Sequence, residues 1–198
     1  MGAETMSLPF SEKMAFEQGD EGISFGYKAP GANAVDEFGN LDSVEFINVS
    51  QDDALAWPEK VHRTYPRTVN ERMDSTIVPF VKKSRAINVV LLGILERKLG
   101  LPEGELLKKH SDEEPSGSET RVIKSPPRGP GEKGKTTLGA HTDFGSLVST
   151  AAPLPTLWSD RIQSFLHNRL GGLQVMVPGT AEWQYVKVIL RELAVYGG

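Results

Sequence analysis

The sequence predicts an α+β chain, mainly β, organised around one long helix. Three observations carry this. Apolar residues between positions 68 and 99 (Val69, Met73, Ile77, Phe80, Ile87, Leu91, Ile94 and Leu95) recur at helical spacing. The run SVEFINV at 43–49 is strand-like, with Val44, Phe46, Ile47 and Val49 apolar. From position 138 onward the texture is short apolar runs separated by Gly and Pro, which is the pattern of β-strands and turns.

In chain order, residues 1–18 read as one short amphipathic helix with Leu8, Met14 and Phe16 on a common side. Residues 19–43 are rich in Gly, Asp and Asn and read as loop, with a short strand at ISFGY (23–27). Pro79 interrupts the long helical pattern: either the helix kinks there, or a new one starts near Thr76 with Pro79 in its first turn. Gly100-Leu101-Pro102 is a stop signal, and PEGELLKKH (102–110) reads as a second short helix. Residues 111–137 are polar, with a strand at TRVIKS (120–125) ended by Pro126 and Pro127. LGGLQVMV (170–177) and EWQYVKV (182–188) read as two strands joined by the turn PGTA. Three parts result: 1–67 with the first helix and the early strands and loops, 68–110 with the long helix, and 111–198 with the β-rich remainder.

Composition narrows the function. The chain has 198 residues with 22 basic and 26 acidic side chains, a net charge of −4. A mildly acidic protein has no general attraction for phosphate polymers or anionic lipid, so neither nucleic acid nor membrane is an expected partner. The absence of cysteine rules out disulfide scaffolds, thiolate zinc sites and Cys nucleophiles together. No basic-then-apolar leader opens the sequence, and the most apolar run, INVVLLGIL (87–95), is far short of the ~20 residues that span a bilayer. A cytoplasmic location is the expectation, with no protein partner indicated.

Two motifs carry chemistry. GPGEKGKT (129–136) fits the phosphate-loop pattern letter for letter, with Lys135 and Thr136 in the positions that hold phosphate oxygens and magnesium. Such a loop works by aiming a helix N-terminus at the anion. The following TLGAHTDFGS, with Gly139 and Gly145, is not a helix, so a Lys-rich surface loop is the competing reading. The second motif is His141-Thr142-Asp143. On an extended strand residues i and i+2 share a face, so an imidazole and a carboxylate can converge on one point. They supply two legs of the 2-His-1-carboxylate arrangement that leaves open positions on a non-haem Fe(II). A strand-end His and Asp making ordinary hydrogen bonds is the plain alternative.

The flanks TLGAHTDFGSL, LGGLQVMVPG and EWQYVKV resemble the isopenicillin-N-synthase-like family of Fe(II)/2-oxoglutarate-dependent oxygenases. The likeness extends to RVIKSPP, to LERKLGLPE at the end of the long helix, and to GISFGYKAPGANA and SVEFINVSQDDALAWP upstream. It covers roughly residues 8–147 and 170–187. It implies a partial double-stranded β-helix (jelly roll) with the long helix as its support, His141 and Asp143 as iron ligands, and 2-oxoglutarate as co-substrate. The family's reaction couples decarboxylation of 2-oxoglutarate to succinate with oxidation of a small organic molecule. Arg121 and Ser125 are the candidates for a co-substrate contact. Tyr27, Phe46 and Trp57 are candidates for the substrate pocket, each equally suited to ordinary packing.

The chain also departs from that family. The distal His of the iron triad has no counterpart after position 187, and His167, just before LGGLQV, is poorly placed to replace it. His62 and His110 read as plain surface residues. The family's Arg-x-Ser that clasps 2-oxoglutarate is absent, since Arg191 is followed by Glu192 and Leu193, and the Tyr before Pro-Pro is Ser125. Residues 148–169 stand as an inserted segment where the family has a short turn. Our hypothesis is that 148–169 and 188–198, each opening on Val, are translated introns in a truncated product. A transcript reading continuously through codons 148–169, with no shorter form, would defeat it. Such a chain is expected to fold marginally as a monomer and to bind iron weakly through two ligands. A phosphate-loop nucleotide-binding protein and a non-catalytic scaffold or pseudoenzyme remain the alternatives.

Overall fold

A computed structural model of the chain describes residues 1–19, 22, 24–111, 113–126, 147–150, 174–177, 179–185 and 194–197. The chain divides into two compact units, Met1–His141 and Thr142–Gly198.

The first unit packs helices on one face of a three-stranded antiparallel sheet. Its strands are β1 (Gly26–Lys28), β2 (Glu45–Ser50) and β3 (Glu119–Lys124), in the order β1-β2-β3. β2 is the central strand, and all six of its residues are buried. Alternation then sorts them. Ile47 and Val49 join the helical core, whereas Phe46, Asn48 and Ser50 lie on the opposite face. The register places Ile47 opposite Tyr27 on one side and Val122 on the other.

Ser50 ends the strand and starts a helix. Its hydroxyl accepts from the backbone N–H groups of Asp52 and Asp53, capping α3 (Gln51–Ala56). Asp52 and Asp53 in that first turn also suit the positive end of the helix dipole.

The N-terminal segment forms two helices rather than the single one expected: α1 (Gly2–Met6) and α2 (Phe10–Met14). Pro9 is the cause, because it lacks an N–H and biases Leu8 away from helical backbone. The buried positions are Thr5, Met6 and Lys13, and Met14 is exposed.

The long helical pattern resolves into α4 (Arg67–Asn70), a π-helical turn (Met73–Ile77) and α5 (Val78–Leu99). Pro79 is the second residue of α5, where no intrahelical N–H is needed. α5 ends in a Schellman motif. Gly100 adopts φ 68°, Leu101 N–H donates to Glu96 O at 2.9 Å, and Gly100 N–H donates to Arg97 O. The expected second helix is a single 3₁₀ turn, Leu107–His110. The Glu96 carboxylate explains why it is so short. It accepts from the N–H groups of Gly104, Leu106 and Leu107 and so folds the loop back onto α5. Those three donors outweigh the burial of Glu96 and hold its carboxyl below the usual range.

The core of this unit is Met6, Ile47, Val49, Ala54, Tyr65, Val69, Met73, Ile77 and Val81. Each larger apolar side chain among them contributes about 1.5–3 kcal/mol when fully buried.

In the second unit β4 (Leu147–Thr150) pairs antiparallel with β7 (Ala194–Gly197). The first residues of the segment read as an insertion therefore pair with the tail that lost its family likeness. β5 (Gln174–Met176) and β6 (Trp183–Tyr185) form the expected hairpin, with Met176 opposite Trp183. Its turn is closed by Thr180 N–H donating to Val177 O at 3.0 Å, and Gly179 supplies the left-handed φ of 81° that the turn requires. Among the described residues no helix is long and apolar enough to cross a membrane.

Candidate functional site

The face of the sheet turned away from the helices carries polar and aromatic side chains. The ladder sets Arg121 opposite Asn48, Ile123 opposite Phe46 and Lys28 opposite Phe46 on the other side. Arg121 Nε donates to Asn48 Oδ1 at 2.8 Å and Nη2 to Glu119 Oε1 at 2.5 Å. Its guanidinium carbon stands 4.2 Å from the Phe46 ring centroid, and Lys28 Nζ lies 5.6 Å from the same centroid. Two cations therefore rest against one ring. Lys28 is itself buried and neutralised by Asp42, with a further bond to Val44 O. Arg121 keeps about a third of its side chain in contact with solvent. Ser125 is exposed, one residue past the end of β3.

The opposite, packed side holds two buried carboxylates. Glu45 accepts from Lys13 Nζ at 2.5 Å, Tyr27 Oη at 2.6 Å and Lys124 Nζ at 2.9 Å. Burial opposes its ionisation, but these three donors outweigh it and hold the carboxyl at about 2. Burial and the bond to Glu45 push the Tyr27 hydroxyl well above its ordinary range. Asp53 accepts from the N–H groups of Val61, His62 and Arg63 and from the Tyr65 hydroxyl. This network fixes the loop after α3. Burial is the main reason the Tyr65 hydroxyl is also raised.

His62 is not the plain surface residue that the sequence suggested. It is half-buried, its Nε2 lies 3.0 Å from Asp52 Oδ2, and its ring packs on Phe25 with centroids 5.1 Å apart. Its partner Asp52 is a neighbour only because the loop after α3 folds back, so local sequence gives no sign of the contact. Asp52 also accepts from Ser116 N–H, which ties down the segment before β3. His110 is exposed, with Nδ1 2.8 Å from Leu106 O.

Of the aromatic pocket candidates, Tyr27 and Phe46 are buried on opposite faces of the sheet. Trp57 instead borders a small cavity of about 90 Å³ beside Asp53, Lys60, Arg63 and Met73, on the helical side. The structure does not bring these three together.

His141, Asp143, Lys135, Thr136, His167 and Arg191 lie outside the described residues. Among the described residues no three His, Asp or Glu side chains gather as a metal-binding set. Asn48 and Glu119, which orient Arg121, were missed in the sequence. The alternation of Glu119, Arg121 and Ile123 was the available signal, and it pointed all three to one face.

The chain is similar in fold to a solved structure. No family model matches the chain, and no curated protein matches it. Among solved structures, it matches the crystal structure of a full-length Neurospora crassa protein in complex with alpha-KG, with a TM-score of 0.66 at 20% identity. The match covers 100% of this chain and 57% of that one. The chain shares that fold, which it spans for a little over half of the other protein's length.

Proposed function

We propose that this chain is a member of the Fe(II)- and 2-oxoglutarate-dependent oxygenases, of the isopenicillin-N-synthase-like kind, and serves the oxidation of a small organic molecule. The observation that carries this reading is the fold, shared along the entire chain with a protein crystallised with alpha-KG. The joint sequence pattern around His141-Thr142-Asp143 supports it independently.

In this reading His141 and Asp143 are the protein's iron ligands. Imidazole and carboxylate donors are the chemistry Fe(II) takes in such sites. The fit is partial, because two donors leave the usual three-donor set one short. Bound iron and 2-oxoglutarate supply the oxidising chemistry, and the protein's part is to hold, orient and shield. Arg121 is the candidate for a carboxylate of the co-substrate, since its planar fork suits that group. A carboxylate arriving there competes with Glu119, which already takes Nη2.

The test is O₂ consumption and succinate formation by the purified chain supplied with Fe(II) and 2-oxoglutarate. Turnover that requires both and disappears in Asp143→Ala supports the reading. Turnover indifferent to iron, or unchanged in that variant, contradicts it. The product mixture with candidate small molecules then defines the substrate.

A further inference from the structure

We infer that the chain associates head to tail with a second copy of itself, through a hairpin tip on one molecule and the outer side of α5 on the next. Both surfaces belong to the first unit, and each is apolar with charge of one sign.

The tip is the hairpin 34–41. Ala34 bridges Leu41, and Val35 N–H donates to Asn40 O at 2.7 Å. Asp36 holds the turn. Its Oδ1 accepts from the N–H groups of Phe38 and Asn40, and its Oδ2 accepts from Asn40 Nδ2. Gly39 supplies the positive φ of 76°. The result is a rigid turn with Phe38 83% exposed and Leu41 63% exposed, flanked by Asp36 and Glu37. An aromatic side chain presented on a pre-ordered turn loses little entropy on binding, which is the profile of an interface anchor.

The complementary surface is α5. Its inner side is occupied by Val81, Leu92 and Glu96. Phe80, Ile87, Val90 and Ile94 recur at steps of seven, three and four and so form a second stripe on another side of the helix. All four are exposed, Val90 at 62%. The exposed charges of α5 are Lys82, Lys83, Arg97 and Lys98, and its one acid, Glu96, is buried. A stripe facing its own copy would bring cation to cation. An acidic, apolar tip facing it is complementary in both respects. Within one molecule the two surfaces do not cover each other, as their exposure shows. The tip and the stripe match in both charge and apolar character, so the partner is another copy and the interface is heterologous. With one aromatic anchor seated on a short apolar stripe, weak association at about 10 to 100 µM is expected.

The experiment is sedimentation equilibrium on the full chain across that range, with Phe38→Ser, Val90→Ser and their 1:1 mixture. Wild type should self-associate and each variant alone should be monomeric, with a weakening of about tenfold or more. The mixture should recover a dimer and go no further, since one partner keeps the stripe and the other keeps the tip. Glu37→Lys and Lys83→Glu should each weaken association, and the double variant should regain it. Far-UV circular dichroism checks that the exposed substitutions leave the fold intact. A wild type that stays monomeric overturns the inference, whether or not it binds vesicles of anionic lipid. So does association that the mixture fails to restore, which points to a symmetric contact instead.

Discussion

The two faces of the β1-β2-β3 sheet are built from the same strands and obey different rules. On the helical face, Ile47, Val49 and Val122 pack against helices, Tyr27 lies under Lys13 of α2, and the charged cluster around Glu45 is closed by three donors. On the other face Lys28, Phe46, Asn48 and Arg121 form a chain of polar and cation–aromatic contacts, with Arg121 and Ile123 reaching solvent. One face is fixed by burial, and its buried carboxylates are satisfied by donors close at hand. The other is held by directional contacts, with Lys28, Phe46 and Asn48 buried and Arg121 and Ile123 open to solvent. Stability belongs to the first face and candidate chemistry to the second.

That contrast can be tested in order of effect. Ile47→Ala removes a side chain that is 1% exposed at the centre of the packed face. It is expected to cost about 3–4 kcal/mol, read from denaturant unfolding, because the surrounding helices cannot close the cavity fully. A loss below about 1 kcal/mol means this face is looser than described.

Glu45→Gln is expected to come next, with a loss on the order of 2–3 kcal/mol at neutral pH. The pH dependence gives its signature. The Glu45 carboxyl is lowered from 4.5 to about 2 in the folded protein, so its contribution is fully present above about 4.5 and is lost as pH falls through about 2. The stability gap between wild type and variant should therefore shrink across that interval. A gap that stays constant with pH shows that lost packing, not charge, is responsible.

Arg121→Ala on the open face should cost least, about 1 kcal/mol or below, because its pair with Glu119 is part-exposed and screened. If its place is at a co-substrate, the same change weakens 2-oxoglutarate binding, measured by calorimetry with iron present, while the unfolding midpoint barely moves. Equal losses in stability and binding would assign Arg121 to the scaffold instead.

Much of the first unit was legible because its signals are local. The spacing of Val69, Met73 and Ile77 marks helical structure, Pro79 marks the first turn of α5 and Gly100 marks its end. β2 and β3 were readable from their apolar runs. What escaped depends on distant partners. His62 is half-buried because Asp52 turns towards it, and Glu96 is buried because it gathers the N–H groups of a loop eight to eleven residues on. Arg121 takes its setting from Asn48, 73 residues earlier, through a strand pairing that no local pattern specifies. The break between α1 and α2 is written in Pro9, and the amphipathic spacing of Leu8, Met14 and Phe16 masks it. For the candidate site, the residue types at His141 and Asp143 were legible as chemistry. Both lie outside the described residues.

The most direct measurement is an anaerobic Fe(II) titration by isothermal calorimetry, with 2-oxoglutarate present, on wild type, His141→Ala and Asp143→Ala. Wild type should bind one equivalent of iron, and each substitution should weaken that binding by about tenfold or more while leaving the unfolding midpoint in place. Equal affinity in all three proteins would contradict the assignment of iron to this pair.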